Sequence, residues 1–233
     1  MSVFAIGDLH LSLGEDVDKP MDIFGPGWVD HADRLGNAWK QRIADSDTVI
    51  ICGDVSWGMK LENAMPDLRF VSGLPGHKVI IKGNHDLWWR GINKLNGLFD
   101  NITFIINTCY RVPDSDIVIA GTRGWISPGT EGFDAHDNTI YNRETMRLER
   151  SLQAAAATGA GDVIGVMHYP PTNERKQSSA FTRLFEQYGA RTVVYGHLHG
   201  KESFGNGIKG HLNGVDYKLV SLDYLECVPV KIR

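Results

Sequence analysis

Five short, apolar, β-branched runs in this chain each lead straight into a cluster of Gly, Asp, Asn or His. The clusters are Gly7-Asp8-Leu9-His10, Gly53-Asp54, Gly83-Asn84-His85-Asp86, Met167-His168-Tyr169 and Gly196-His197-Leu198-His199. The runs before them, Val3 to Ile6, Thr48 to Cys52, Lys78 to Ile81, Val163 to Met167 and Thr192 to Tyr195, read as strands, several too continuously apolar to have a wet face. Further strand-like runs lie at Ile102 to Ile106, Ile117 to Ala120 and Tyr217 to Ser221. Helical spacing falls between them at His31 to Ala44, Leu61 to Val71 and Leu87 to Leu98. The clearest helix is predicted from about Tyr141 to Ala157, where Tyr141, Thr145, Leu148, Leu152, Ala155 and Ala156 share a face and Gly159 and Gly161 end it. Strand–helix alternation followed by closer-spaced strands predicts an α/β architecture of mixed sheets covered by helices. No repeat, low-complexity tract or linker divides the 233 residues, so 1–233 reads as one domain.

If these strands are parallel neighbours, their clusters gather at one sheet edge, where open α/β sheets place their sites. The glycines then allow sharp turns and close backbone approach. Together the clusters hold five of the nine histidines, the carboxylates of Asp8 and Asp54, the carboxamide of Asn84 and the pair His85-Asp86. Asp8 and His10, two apart on an extended chain, point the same way, as do His197 and His199. A mixed imidazole and oxygen set suits Mn, Fe, Zn or Co better than Mg or Ca. The donors Asp8, His10, Asp54, Asn84, His168, His197 and His199 number seven, too many for one catalytic metal with an open position. They match two metals sharing one carboxylate. Two divalent cations against two carboxylates leave a local charge near +2, which attracts an anion such as phosphate.

The series D-x-H, GD, GNHD, H and GHxH, in this order from Asp8 to His199, resembles the calcineurin-like metallophosphoesterase superfamily. The resemblance implies a four-layer sandwich of two mixed β-sheets flanked by α-helices, with a centre of two divalent or mixed-valence Mn, Fe or Zn ions at one end. It implies one metal held by Asp8, His10, Asp54 and His199, a second by Asp54, Asn84, His168 and His197, and Asp54 as the bridge. It further implies a metal-bridging hydroxide as nucleophile, His85 as the group protonating the leaving alkoxide, and Asp86 as the partner orienting His85. The protein-phosphatase branch carries Asp-Arg-Gly shortly after its second GD, where Gly53-Asp54-Val55-Ser56-Trp57-Gly58 has Ser56 and Trp57. Leu11 replaces the glycine usual after the first D-x-H. Both departures argue against a Ser/Thr protein phosphatase and leave Arg123, Arg143 and Arg175 as candidates to grip phosphate. The resemblance implies hydrolysis of a small phosphomonoester or phosphodiester, nucleotide- or sugar-phosphate-like.

Charge bounds the alternatives. With 24 basic and 28 acidic residues the net charge is −4, which disfavours a nucleic-acid groove, hence a nuclease, and a polybasic membrane patch. A metal-binding scaffold with little turnover would have lost a ligand or the His85-Asp86 pair, and both are present. The first residues lack the features of a signal peptide and no apolar run approaches a membrane span, which predicts a cytoplasmic protein. Cys52, Cys109 and Cys227, odd in number and widely spaced, read as reduced, mostly buried thiols. His31, His77, His136 and His211 lack a motif and read as surface or capping residues. Trp88 and Trp89 follow GNHD, and at least one of them reads as packing beneath the site in preference to stacking on a substrate ring.

Overall fold

A computed structural model describes all residues from Met1 to Arg233. One sheet has the order β11-β1-β2-β3-β4, from β1 (Val3–Ile6), β2 (Thr48–Ile51), β3 (His77–Ile80), β4 (Ile102–Phe104) and β11 (Val230–Lys231). The other has the order β5-β6-β7-β8-β10-β9, from β5 (Cys109–Arg111), β6 (Ile117–Thr122), β7 (Asp162–Met167), β8 (Ala190–Tyr195), β9 (Gly210–Leu212) and β10 (Val215–Leu219). Strands β1 to β4 run parallel, as do β6, β7, β8 and β10, while β11, β5 and β9 pair antiparallel at the edges.

The period of two along each buried strand sorts side chains into layers. Phe4 and Ile6 of β1 and Val49 and Ile51 of β2 face outward onto Leu35 and Trp39 of α1 (His31–Arg42) and Leu61, Leu68 and Val71 of α2 (Leu61–Ser72). Their alternates Val3, Ala5, Ile50 and Cys52 face inward and meet Ile119, Ile164, Val166 and Val194 of the second sheet. That sheet's outer face packs Val118, Val163, Val193 and Tyr195 on Leu148 and Leu152 of α4 (Ala135–Ala157) and Phe181 and Phe185 of α5 (Ala180–Gln187). The molecule is therefore the expected four-layer α/β sandwich, helix, sheet, sheet, helix. Each Val, Leu, Ile or Phe so buried contributes about 1.5–3 kcal/mol. No helix is long and apolar enough to cross a membrane.

Several elements differ from the sequence expectation. Helix α4 begins six residues before Tyr141 because Asp134 and Asp137 form a capping box, each side chain taking the other's backbone N–H at 2.9 and 3.2 Å. Ser179 and Thr182 do the same for the unexpected α5. The helix expected over Leu87 to Leu98 shrinks to one turn, α3 (Ile92–Leu95). Trp88 is drawn into the core instead, its indole N–H donating to Asp86 at 3.0 Å. The edge strands β5, β9 and β11 have two or three residues each, too short to show a period. Cys52 and Cys227 are buried and Cys109 half-buried, all three as free thiols.

Candidate metal centre

The five clusters do meet at one edge, at the C-terminal ends of β1, β2, β3, β7 and β8. Pairing continues past β1 and β2: the amides of Asp8 and His10 donate to the carbonyls of Gly53 and Asp54, both at 2.9 Å. The two sheets are stitched together here by the amide of His197, which donates to both Asp8 carboxylate oxygens at 2.9 and 3.0 Å. Asp8, His10, Asp54 and His197 all have left-handed backbones, with φ of 58°, 44°, 50° and 73°. Such a conformation costs about 1–2 kcal/mol per residue, and four of the chain's eleven non-glycine residues that adopt it are these candidate ligands. Gly83 and Gly196 are glycine for want of space: a Cβ there would collide with the carboxylates of Asp54 and Asp8, respectively.

The seven candidate ligands converge in two overlapping groups. In one, His10 Nε2 lies 3.2 Å from His199 Nε2, with Asp8 Oδ1 3.8 Å from His199 Nε2 and Asp54 Oδ2 3.8 Å from His10 Nε2. In the other, His168 Nε2 lies 2.6 Å from Asn84 Oδ1, 3.2 Å from His197 Nδ1 and 3.4 Å from Asp54 Oδ2. Asp8, His10 and His199, and likewise Asp8, Asp54 and His168, offer ligand atoms within 4.8 Å of one another. Asp54 Oδ2 faces an imidazole of each group.

The proton positions make this a nest of acceptors. His168 Nδ1 donates to the Cys52 carbonyl at 2.9 Å, so in the neutral ring Nε2 carries a lone pair. Burial pushes His168 down to about 3, keeping it neutral, and burial pushes His197 down to about 2. His168 Nε2 and Asn84 Oδ1 are thus two acceptors at 2.6 Å, an arrangement that a cation relieves. His10, held well below the usual imidazole range by burial, has Nδ1 enclosed without a partner. Burial raises Asp8 to about 7 and Asp54 to about 6, Asp54's charge adding to the rise at Asp8. Uncompensated lone pairs and carboxylates with no buried cation fit the divalent ions that the resemblance implies.

One expectation about these residues changes, and one residue outside the motifs joins them. The His85 to Asp86 contact implied by the resemblance is not formed. Asp86 is fully buried, and its carboxylate accepts the amides of Gly83, Asp54, Val55 and Ser56 at 2.7 to 3.4 Å besides the Trp88 indole. It positions the turns that carry Asp54 and Asn84. His85 is exposed at the rim, and its backbone amide donates to Asp54 Oδ1 at 2.7 Å. Asp223, unmarked by any motif, instead pairs with an imidazole: its Oδ1 accepts from His199 Nδ1 at 3.0 Å, which turns Nε2 toward His10. Burial opposes the charged form of His199, yet this bond and the charge of Asp8 raise its pKa.

Aromatic residues outside the motifs complete the surroundings. Trp57 stacks on His10 with centroids 4.7 Å apart and lies 4.5 Å from His85, and Trp28 lies 5.4 Å from His199. Trp88 and Trp89 pack on Phe104 beneath the site. His31 faces the Trp28 carbonyl, His77 bonds Thr103 and stacks on Tyr110, and His136 and His211 are exposed. None of these four joins the cluster.

The model of the calcineurin-like phosphoesterase family matches residues 1–201. The Gene 66 protein of Mycobacterium phage D29 is 30% identical over 114 residues, 48% of this chain and 55% of that protein, so the chain spans about half the length of this curated relative. Among solved structures, a protein of unknown function from Aquifex aeolicus, AQ665, superposes with a TM-score of 0.51 at 15% identity, covering 99% of this chain and 95% of that one. The protein TT1561 of Thermus thermophilus gives 0.55 at 13% identity over 85% and 82%. These two likenesses speak to the fold, whereas the family model also spans every cluster from Asp8 to His199. The chain belongs to the calcineurin-like phosphoesterase family.

Proposed function

We propose that residues 1–233 act as one dinuclear phosphohydrolase on a small phosphodiester or phosphomonoester. One ion would be held by Asp8, His10, Asp54 and His199, and the other by Asp54, Asn84, His168 and His197. The observation carrying this reading is Asp54 Oδ2, which lies 3.8 Å from His10 Nε2 and 3.4 Å from His168 Nε2 and so serves both groups. When bound, the ions acidify water and draw charge from the phosphoryl group.

The chain's own residues supply the rest. His85 stands at the rim beside both metal groups, tethered through its amide to Asp54, and donates a proton to the departing oxygen. Trp57, stacked against His10 and beside His85, limits the ring's freedom and excludes water from that side. A cavity of about 450 Å³ opens from His10 and His199 and is walled by Phe24, Trp28 and Trp57. Its flat walls favour a substrate with a planar ring, as a nucleotide-like ester has. Trp57 occupies the position at which the protein-phosphatase branch carries arginine, which supports a small-molecule substrate.

Stripped protein reloaded with Mn²⁺ should release p-nitrophenol from bis-p-nitrophenyl phosphate or p-nitrophenyl phosphate, and the rate ratio would separate diester from monoester preference. Failure on both esters with two ions bound would contradict the hydrolase reading.

A further inference from the structure

One strand outward from the metal residues on each sheet, a second polar cluster reaches the same edge. Thr122 and Arg123 at the end of β6, Lys82 after β3, and Arg143, Glu144 and Arg147 of α4 enclose a cavity of about 220 Å³ beside the end of β4. Glu144 is fully buried at its base. It accepts from Thr122 Oγ1 at 2.7 Å and Arg147 at 2.8 Å, with Arg143 at 3.5 Å and Arg123 at 3.7 Å. One carboxylate therefore faces four cations, an excess of 4 − 1 = +3 in a chain whose net charge is −4. Lys82 pairs with no carboxylate, and Arg123 Nε is buried without a hydrogen-bond partner.

Enclosing unpaired guanidinium donors is costly unless an anion completes them. Planar guanidinium forks match the oxygens of phosphate, and the ammonium of Lys82 adds a point charge. The cavity borders the metal centre on the His168 side. The Arg123 carbonyl accepts the amides of His168 and Tyr169 at 3.1 and 3.0 Å, and Lys82 stands two residues before Asn84. The Arg123 guanidinium lies over Trp125, Trp125 packs on Tyr169, and the Tyr169 ring lies 4.1 Å from His197. The aromatic cavity flanks the opposite, His10 and His199, side.

We propose that this arginine cavity binds a second phosphate group of the substrate, one that is not hydrolysed. The substrate is then a bisphosphorylated ester whose scissile phosphate sits at the metal centre while the other is gripped by Lys82, Arg123, Arg143 and Arg147. The proposal rests on the phosphohydrolase reading.

The test uses Arg143→Gln and Lys82→Gln, which leave Glu144 paired with Arg123 and Arg147. Inorganic phosphate is titrated calorimetrically into the full chain without added metal, and steady-state kinetics follow on Mn²⁺-loaded enzyme. The unaltered chain should bind phosphate, and each variant should bind it about tenfold more weakly, the scale of one charge-assisted contact. With adenosine 3′,5′-bisphosphate, KM should rise about tenfold at unchanged kcat, while the p-nitrophenyl phosphate kinetics of Lys82→Gln stay as they were. Equal phosphate binding in variants and unaltered chain, or equal effects on both esters, would overturn the cavity's role. Phosphate binding lost in the variants, with no ester hydrolysed by unaltered enzyme, would keep the anion site and overturn its place in substrate binding. Ester hydrolysis indifferent to both variants would leave the phosphohydrolase reading standing and the proposal refuted.

Discussion

The buried carboxylate of Asp86 accepts the backbone N–H of Asp54 at 2.9 Å, 32 residues back in the chain. That bond fixes the turn presenting Asp54 to both metal groups, and four further donors occupy the same carboxylate. Neighbouring His85 points the other way, into solvent. The two residues should consequently fail differently. Asp86→Ala orphans buried donors at about 1–3 kcal/mol apiece, so melting temperature and bound metal should both fall. His85→Asn should keep both while slowing turnover roughly 10²–10⁴-fold, most with poor leaving groups. Metal loss in the His85 variant would place that residue among the ligands instead.

Asp54→Asn removes the charge of the carboxylate proposed to bridge the two ions. Its metal-to-protein ratio, measured by mass spectrometry of the elements, should drop to one or below, and hydrolysis should vanish. Two retained ions would rule out bridging.

Metal affinity should depend on pH through the carboxylates of Asp8 and Asp54 and through His199, whose pKa is also raised. Without a cation, Asp54 and Asp8 keep protons up to about 6 and about 7, whereas His168 and His197 are neutral above about 3 and 2. A cation displaces the carboxyl protons and the proton that Asp223 helps hold on His199, so Mn²⁺ binding should strengthen as pH rises through about 6 to 7. Stability of the metal-free chain runs the opposite way. Carboxyls raised in the folded state favour folding below their usual value of 3.8, and this advantage is lost as pH rises through about 6 to 7. Melting curves with and without Mn²⁺ should therefore diverge with increasing pH, and parallel curves would show that these carboxyls do not titrate in the site.

Asp223→Asn leaves the fold intact but frees the His199 ring. Loss of such an orienting carboxylate lowers metal affinity about 10–100-fold, and only the ion at the His10 group should weaken. Calorimetry resolving two Mn²⁺ sites reads this directly; equal weakening of both sites would contradict the pairing of His199 with Asp223 as a local device.

The five clusters were legible because each follows a continuously apolar, β-branched run, and four of the five open on a glycine, which has a spatial cause at Gly83 beneath Asp54 and at Gly196 beneath Asp8. Asp223 was not, since it lies beyond β10 without a histidine or glycine nearby and gains meaning only when His199 arrives from another strand. Asp86 misled because adjacency to His85 says nothing of direction: the turn sends one side chain out and the next into the amides of residues 54 to 56. Trp28 ends a three-residue 3₁₀ turn and Trp57 sits in a loop, where no periodicity reports which way a side chain faces. The start of α4 was readable in principle, because Asp134-Ala-His-Asp137 has capping-box spacing, but its four polar and small residues hid the first turn from an apolar pattern.

The most direct test is a titration of stripped protein with Mn²⁺, recording bound equivalents and hydrolysis of bis-p-nitrophenyl phosphate or p-nitrophenyl phosphate, whichever turns over, on the same samples. Two equivalents should bind, with activity rising chiefly with the second, because Asp54 must serve both ions. Full activity at a single equivalent, or none with two bound, would contradict a dinuclear phosphohydrolase.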